Sequence, residues 1–304
     1  MKQLSNPKEA INTSMTHFSL PKWRVLLSML FLWISIGMYA STIHWITFIN
    51  TNDPSVGKLD DNARKVLYSR FVNMVNSEVA QYGYDVNIYD YYGGNFTSKQ
   101  CLDCIKDLQC DSTDVVVFYF IGHGCRITND PNIRYPLMLF DDHIDNGIPI
   151  SWVHNSLKNK NARLILTFAV SSNTYVDAGD KLQTEYVVLP AIRAIKTAPS
   201  GLTQCGSVIA EAFLGYKGDI IACSASPGQN SWCIQTPLGG MDVFTYFFTF
   251  SFEKLKEEPS FSWSKFLDNI AETVTESTKD MPMQGVQTPI YDYNLIPSAI
   301  LDKR

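Results

Sequence analysis

The chain has 304 residues, 45% of them hydrophobic and 12% aromatic, with a formal net charge of -5. That composition can fill a sizeable core and excludes a disordered chain. The Lys and Arg residues are scattered, and with no basic cluster to track a groove, nucleic acid is excluded as the expected partner.

Val25 to Ala40 is an uncharged apolar run preceded by Lys2, Lys8, Lys22 and Arg24 against the single acid Glu9. A basic lead before such a run suits a secretory signal or a signal anchor. Residues 1–41 are therefore read as the targeting segment, leaving an exported or membrane-anchored domain over 42–304. Membrane contact is expected only through that segment if it stays uncleaved. Residues 42–49 are mostly β-branched or aromatic and end in Asn50-Thr-Asn-Asp-Pro54, which is strand chemistry stopped by turn chemistry.

Asp60 to Tyr82 places Val66, Leu67, Phe71, Val72 and Val75 at helical spacing, with Asp60 or Asp61 available to cap the start. Residues 84–89 alternate like a short strand and 99–110 suit a helix. The continuous apolar run 114–121 predicts a strand buried on both faces, as do 162–170 and 218–224. Residues 151–158 suit a helix between two of them. Strands alternating with helices predict an α/β fold, a mostly parallel sheet covered on both sides. Chemistry in such folds gathers beyond the carboxyl ends of the strands. Gly122-His123-Gly124 follows one buried strand and Ser171-Ser172-Asn173 follows the next, so adjoining strands would set His123 opposite Ser172. Asp177 to Thr203 is the least patterned stretch and reads as a linker.

Of seven cysteines, Cys101 and Cys104 form one Cys-x-x-Cys with no second pair and no His nearby. A structural zinc site normally clusters four ligands, so no metal is expected, and no cofactor. The cysteines read as buried thiols, with one or two disulfides open to an exported chain. His44, His143 and His154 read as structural, Asp141, Asp142 and Asp145 as a solvated loop, and Asn95-Phe-Thr97 as a glycosylation sequon only in a eukaryotic secretory pathway.

Phe120-Ile-Gly-His-Gly124 resembles the Ser-Gly-His-Gly of caspases and metacaspases, and Leu166 to Tyr175 resembles their strand and loop ending in Asp-x-Cys. Ala222 to Gln229, Gly239-Gly240, Val243 to Tyr246 and Gln287 to Ile290 resemble later parts of bacterial caspase-like domains. The order runs from about Ile43 to Ile300. No one motif is specific, but their sequence on the right elements is more so. The resemblance implies a three-layer α/β/α caspase-like fold. It divides into a large-subunit-like part over about 42–180 and a small-subunit-like part over about 204–300.

The resemblance also implies a Cys–His peptidase, which needs a nucleophile, a base and backbone donors for the oxyanion. The base falls on His123, a backbone donor on Gly124, and the nucleophile position on Ser172. The metacaspase Asp and Ser that line a pocket for a basic substrate residue fall on Val170 and Ile121. A hydroxyl is harder to deprotonate than a thiol, and serine enzymes compensate with a carboxylate on the His. No residue adjoining His123 in sequence supplies one. These departures imply a catalytically impaired or inactive pseudoprotease that binds a peptide or protein ligand. On this expectation Ser172, Val170 and Ile121 must all be reverted before basic-residue cleavage returns. The alternatives are a hydrolase using Ser172 with His123, or a thiol such as Cys125, and an exported interaction module with a vestigial site.

Overall fold

Apolar runs with no polar alternation stay folded only where both faces are covered. Two of them form the middle of the structure, a computed structural model that describes residues 41–141, 143–177, 188–189, 207–255, 258–280 and 285–298. The six-stranded sheet comprises β1 (Ser41–Ile49), β2 (Tyr84–Tyr92), β3 (Val115–Ile121), β4 (Leu164–Val170), β5 (Tyr216–Cys223) and β6 (Ile290–Pro297), in the order β6-β5-β4-β3-β1-β2. Every residue of β3 and β4 is buried. All pairings are parallel except β5 with β6. The expected α/β/α sheet is therefore present, and 114–121 and 163–169 adjoin as anticipated.

Alternation along the strands divides the core in two. Trp45, Val117, Tyr119 and Phe168 face one side with helices α1 (Gly57–Val66), α2 (Asn73–Ala80), α5 (Val208–Leu214), α6 (Val243–Lys254) and α7 (Trp263–Thr278). Phe48, Phe118 and Phe120 face the other with α3 (Ser98–Asp107) and α4 (Ile150–Lys158). A six-residue π-helical segment, Leu67–Val72, joins α1 to α2. Val66, Leu67, Phe71, Val72 and Val75 all face the core as their spacing predicts.

The start of α1 differs from the expectation. The helix begins at Gly57, and Asp60 lies buried within its first turn rather than capping it. Backbone carbonyls serve the helix entry instead: Gly57 N–H donates to Asp53 O, and the N–H groups of Leu59 and Asp60 donate to Val56 O, with no side-chain cap. The edge pair β5–β6 also depends on one position: Gly218 has φ +117°, and a Cβ there would lie 1.9 Å from Asn294 O.

The segment 25–40 and most of 177–203 lie outside the described residues, as do Cys205 and Asp142. The described residues fall within one compact unit that starts at Ala40. Among them no helix is long and apolar enough to cross a membrane. Their six cysteines are free thiols.

Phe248 joins most of the first core: its ring centroid lies 5.0 Å from Phe168, 5.2 Å from Phe71 and 5.2 Å from Phe252. Removing so large a fully buried ring leaves a cavity that neighbouring rings fill only in part. Phe248→Ala is expected to lower unfolding stability by about 3–5 kcal/mol in urea titrations. A loss below about 1 kcal/mol would show that this cluster does not anchor α6.

Candidate active site

Parallel pairing sets the site. Ile121 is in register with Val170 across β3 and β4, so His123 and Ser172 each follow a paired position at the same carboxyl edge. Gly122 donates its N–H to Val170 O at 3.2 Å, tying the two loops where they leave the sheet. A Cβ at Gly124 would lie 2.5 Å from Ser171 Oγ and 2.7 Å from Ser172 O, so the loops touch and only glycine fits. Gly124 also pairs with Met138 in a short antiparallel ladder.

The carboxylate that sequence neighbours of His123 lack comes from the loop after β1. His123 Nε2 lies 2.6 Å from Asp53 Oδ2, with the two side chains only 7% and 9% exposed. Burial works against the Asp53 charge. Hydrogen bonds from the Ser55 hydroxyl, Val56 N–H, His123 and Ser55 N–H outweigh it and lower its pKa to about 2. Asp53 is therefore ionised at neutral pH and fixes the side of the imidazole that it meets. Only its place was legible in sequence: it stands in the turn after the first strand, at the edge where chemistry gathers, yet its residue types read as turn chemistry alone.

Ser172 Oγ accepts the N–H of Ser231 at 3.1 Å. Around it, the Ser224 hydroxyl accepts Ser171 N–H at 3.0 Å. Buried Gln287 donates to Ser224 O at 2.9 Å and accepts Trp232 N–H at 2.8 Å. The late Gln287 segment thus knits the loop after β5 to the loop bearing Ser231 behind Ser172.

Ser172 opens onto a narrow pocket lined by Ile121, Gly122, Val170, Ser171, Ser231, Cys233, Asp60 and Asp242. Ile121 and Val170 line one pocket, as the resemblance implies. Its acidity, however, does not depend on position 170: α1 supplies Asp60, and Asp242 precedes α6. A hairpin of Cys233–Thr236 and Gly239–Asp242 brings the two acids together. It packs against α1, where Asn62 donates to Gly240 O at 3.0 Å.

Asp242 accepts the Thr245 N–H with one oxygen, while Oδ2 of Asp242 and Oδ2 of Asp60 are buried without a hydrogen-bond partner. Burial raises Asp242 to about 6 against its Thr245 hydrogen bonds. Burial, then the charges of Asp242 and Asp53, push Asp60 well up. Such a pair is costly unless a cation or a proton meets it.

No described thiol near the site is poised for attack. Burial pushes Cys125 up to about 11. Burial and the two pocket acids push Cys233 up as well. His44 pairs with Asp114 at 3.2 Å, and His154 sits between Thr167 and Asp219, both away from the His123 edge. His44, Cys110 and Asp114 bring one donor atom each within 4.8 Å of one another. Both Asp114 oxygens already accept N–H groups, from Thr42 and Asp111.

A mostly parallel sheet with α/β/α layers, whose edge joins a Gly-His-Gly loop to a Ser-Ser-Asn loop above a lined pocket, defines a peptidase-type domain of the caspase fold. The family model for the caspase domain of Peptidase C14 matches residues 72–298, and the chain belongs to that family. No curated protein matches it significantly. Among solved structures, protein GSU0716 from Geobacter sulfurreducens is similar at 13% identity and a TM-score of 0.43, over 83% of this chain and 93% of that one.

The raised Asp242 carboxyl makes stability depend on pH in a defined sense. Unfolding returns it to an ordinary value of 3.8, so the unfolded chain releases its proton first as pH rises. Stability should fall between about pH 4 and pH 6, by up to ~3 kcal/mol, then level off. Asp242→Asn keeps the oxygen that caps Thr245 and removes the titration, so it should flatten that slope and raise stability at neutral pH. Denaturant curves across this range check it; an unchanged slope in Asp242→Asn would mean the acid is not buried as described.

Proposed function

We propose that this caspase-family domain binds a peptide or protein ligand through a basic side chain seated between Asp60 and Asp242, and does not perform cysteine-peptidase chemistry. The observation that carries it is the pair of unpartnered buried carboxylate oxygens lining the pocket beside Ser172. A guanidinium or ammonium there would supply the donors both acids lack and make their ionised forms favourable. The hydroxyl at 172 lacks the thiolate population on which family chemistry depends. That the domain acts after export rests on residues 25–40 alone.

Calorimetric titration of the full chain with an arginine peptide and its uncharged citrulline counterpart tests the binding. The arginine peptide should bind tighter, and more so as pH rises through about 6, where Asp242 becomes charged. The double variant Asp60→Asn, Asp242→Asn should weaken it on the order of 10- to 100-fold. Equal affinity for both peptides would defeat the proposal.

The chemistry is tested at one position. A thiol-directed covalent inhibitor should leave residue 172 of the unmodified chain unlabelled. Because Asp60 and Asp242 make the pocket acidic although position 170 is Val, Ser172→Cys alone should gain labelling at 172 and cleavage after basic residues. This revises the expectation that three reversions are needed. Labelling without any cleavage by Ser172→Cys would restore that expectation.

A further inference from the structure

We propose that His44, Cys110 and Asp114 form a binding site for a zinc-class divalent ion at the amino ends of β1 and β3. The site is separate from the pocket beside Ser172, because the whole of β3, roughly 20 Å at about 3.3 Å per residue, lies between them. One donor atom from each of the three residues lies within 4.8 Å of the other two. Imidazole nitrogen, thiolate sulfur and carboxylate oxygen are the donors that zinc takes. The Cys-x-x-Cys spacing that stands out in sequence is not this site, since neither Cys101 nor Cys104 belongs to the cluster. The expectation of no metal looked for ligands close in sequence, and these come from β1 and from the connection between α3 and β3.

The His44–Asp114 contact has the span of one edge of a coordination tetrahedron. With bonds of about 2.0–2.2 Å to zinc, tetrahedral N and O ligands stand about 3.3–3.5 Å apart. His44 Nε2 and Asp114 Oδ2 are 3.2 Å apart, and both side chains are buried. A Zn–S bond of about 2.3 Å sets sulfur about 3.5–3.7 Å from either atom, so Cys110 has on the order of 1 Å to close. It stands between α3 and β3 and is partly exposed, which gives its side chain room to move and the ion a way in from solvent.

The surrounding partners suit a bound ion. Tyr89 Oη lies 3.2 Å from His44 Nδ1, with the two rings stacked at 6.0 Å. A hydroxyl both donates and accepts, so it serves either tautomer. Without metal, Nε2–H donates to Asp114 and Tyr89 donates to Nδ1. With metal, Nδ1–H donates to Tyr89 and Nε2 turns its lone pair to the ion. Ligating histidines are commonly held through the other nitrogen in this way. Asp114 is held too: Oδ1 accepts Thr42 N–H at 2.8 Å and Oδ2 accepts Asp111 N–H at 2.7 Å. A carboxylate oxygen has two acceptor positions, so Oδ2 keeps one for the ion. Binding exchanges the Cys110 thiol proton, which passes to solvent, for a zinc–sulfur bond, and water completes the fourth position. The ion then ties the connection after α3 to β1.

The test titrates the full chain, reduced and freed of metal by a chelator, with cobalt(II) as a visible substitute for zinc. A single equivalent should give a thiolate-to-cobalt charge-transfer band in the near ultraviolet and visible bands of tetrahedral intensity, and zinc should bleach both. Zinc at a hundredfold excess over its dissociation constant should raise the melting temperature by about 5–10 °C. Cys110→Ser is a small change at a partly exposed side chain, so it should melt unchanged without metal yet lose the charge-transfer band and the zinc-dependent rise. Tyr89→Phe should weaken cobalt binding about 10- to 100-fold, and His44→Gln should weaken it more. Cys104→Ser should leave the spectrum as it is.

No charge-transfer band from the unmodified chain, or a band that survives Cys110→Ser or disappears in Cys104→Ser, would overturn the inference.

Discussion

The parallel register of β3 on β4 is the constraint on which the site depends. A one-residue slip would send every side chain on a strand to the other face. It would move Ile121 and Val170 away from α1 and α6, and part the loops that Gly124 allows to touch. The register is held because both strands are buried throughout, so neither face tolerates misplacement. The His and Ser loops meet because the core leaves the strands one way to pair.

Around that edge the protein gathers charge of opposite consequence. Asp53 is held ionised by turn hydrogen bonds despite its burial, and it meets a histidine. Asp60 and Asp242 are buried with little to satisfy them, and burial drives both toward the protonated form. The difference is hydrogen bonding rather than depth alone. One carboxylate is built to stay charged without a ligand, and the other two gain most when a cation arrives. Natural proteins tolerate such unsatisfied groups mainly where function uses them.

Much of the chain up to β4 was legible in the sequence, because buried parallel strands are written as continuous apolar runs and α1–α2 shows helical spacing. Of the later part, the strand over 218–224 was legible as β5, and the rest was not. Helix α6 carries Phe244, Tyr246, Phe247, Phe248 and Phe252, apolar on nearly all sides, so periodicity gives no stripe to follow. Edge strand β6 is largely exposed and polar between its tyrosines, which hides it as loop. At the site, His123 and Ser172 stood out through their flanking residues and a family resemblance. Asp53, Asp60, Asp242 and Ser231 did not, since each joins the site through packing between elements distant in sequence. Asp60 even mimicked a helix cap, a role that the turn around Asp53 had already filled.

The account stands on the carboxyl edge of β3 and β4 being an acid-lined peptide site. The most direct measurement is a crystal structure of the domain with a bound arginine-containing peptide. The account predicts the guanidinium between Asp60 and Asp242, with the carbonyl of that residue beside Ser172. A peptide bound elsewhere, with the two carboxylates still facing one another without a cation, would contradict it.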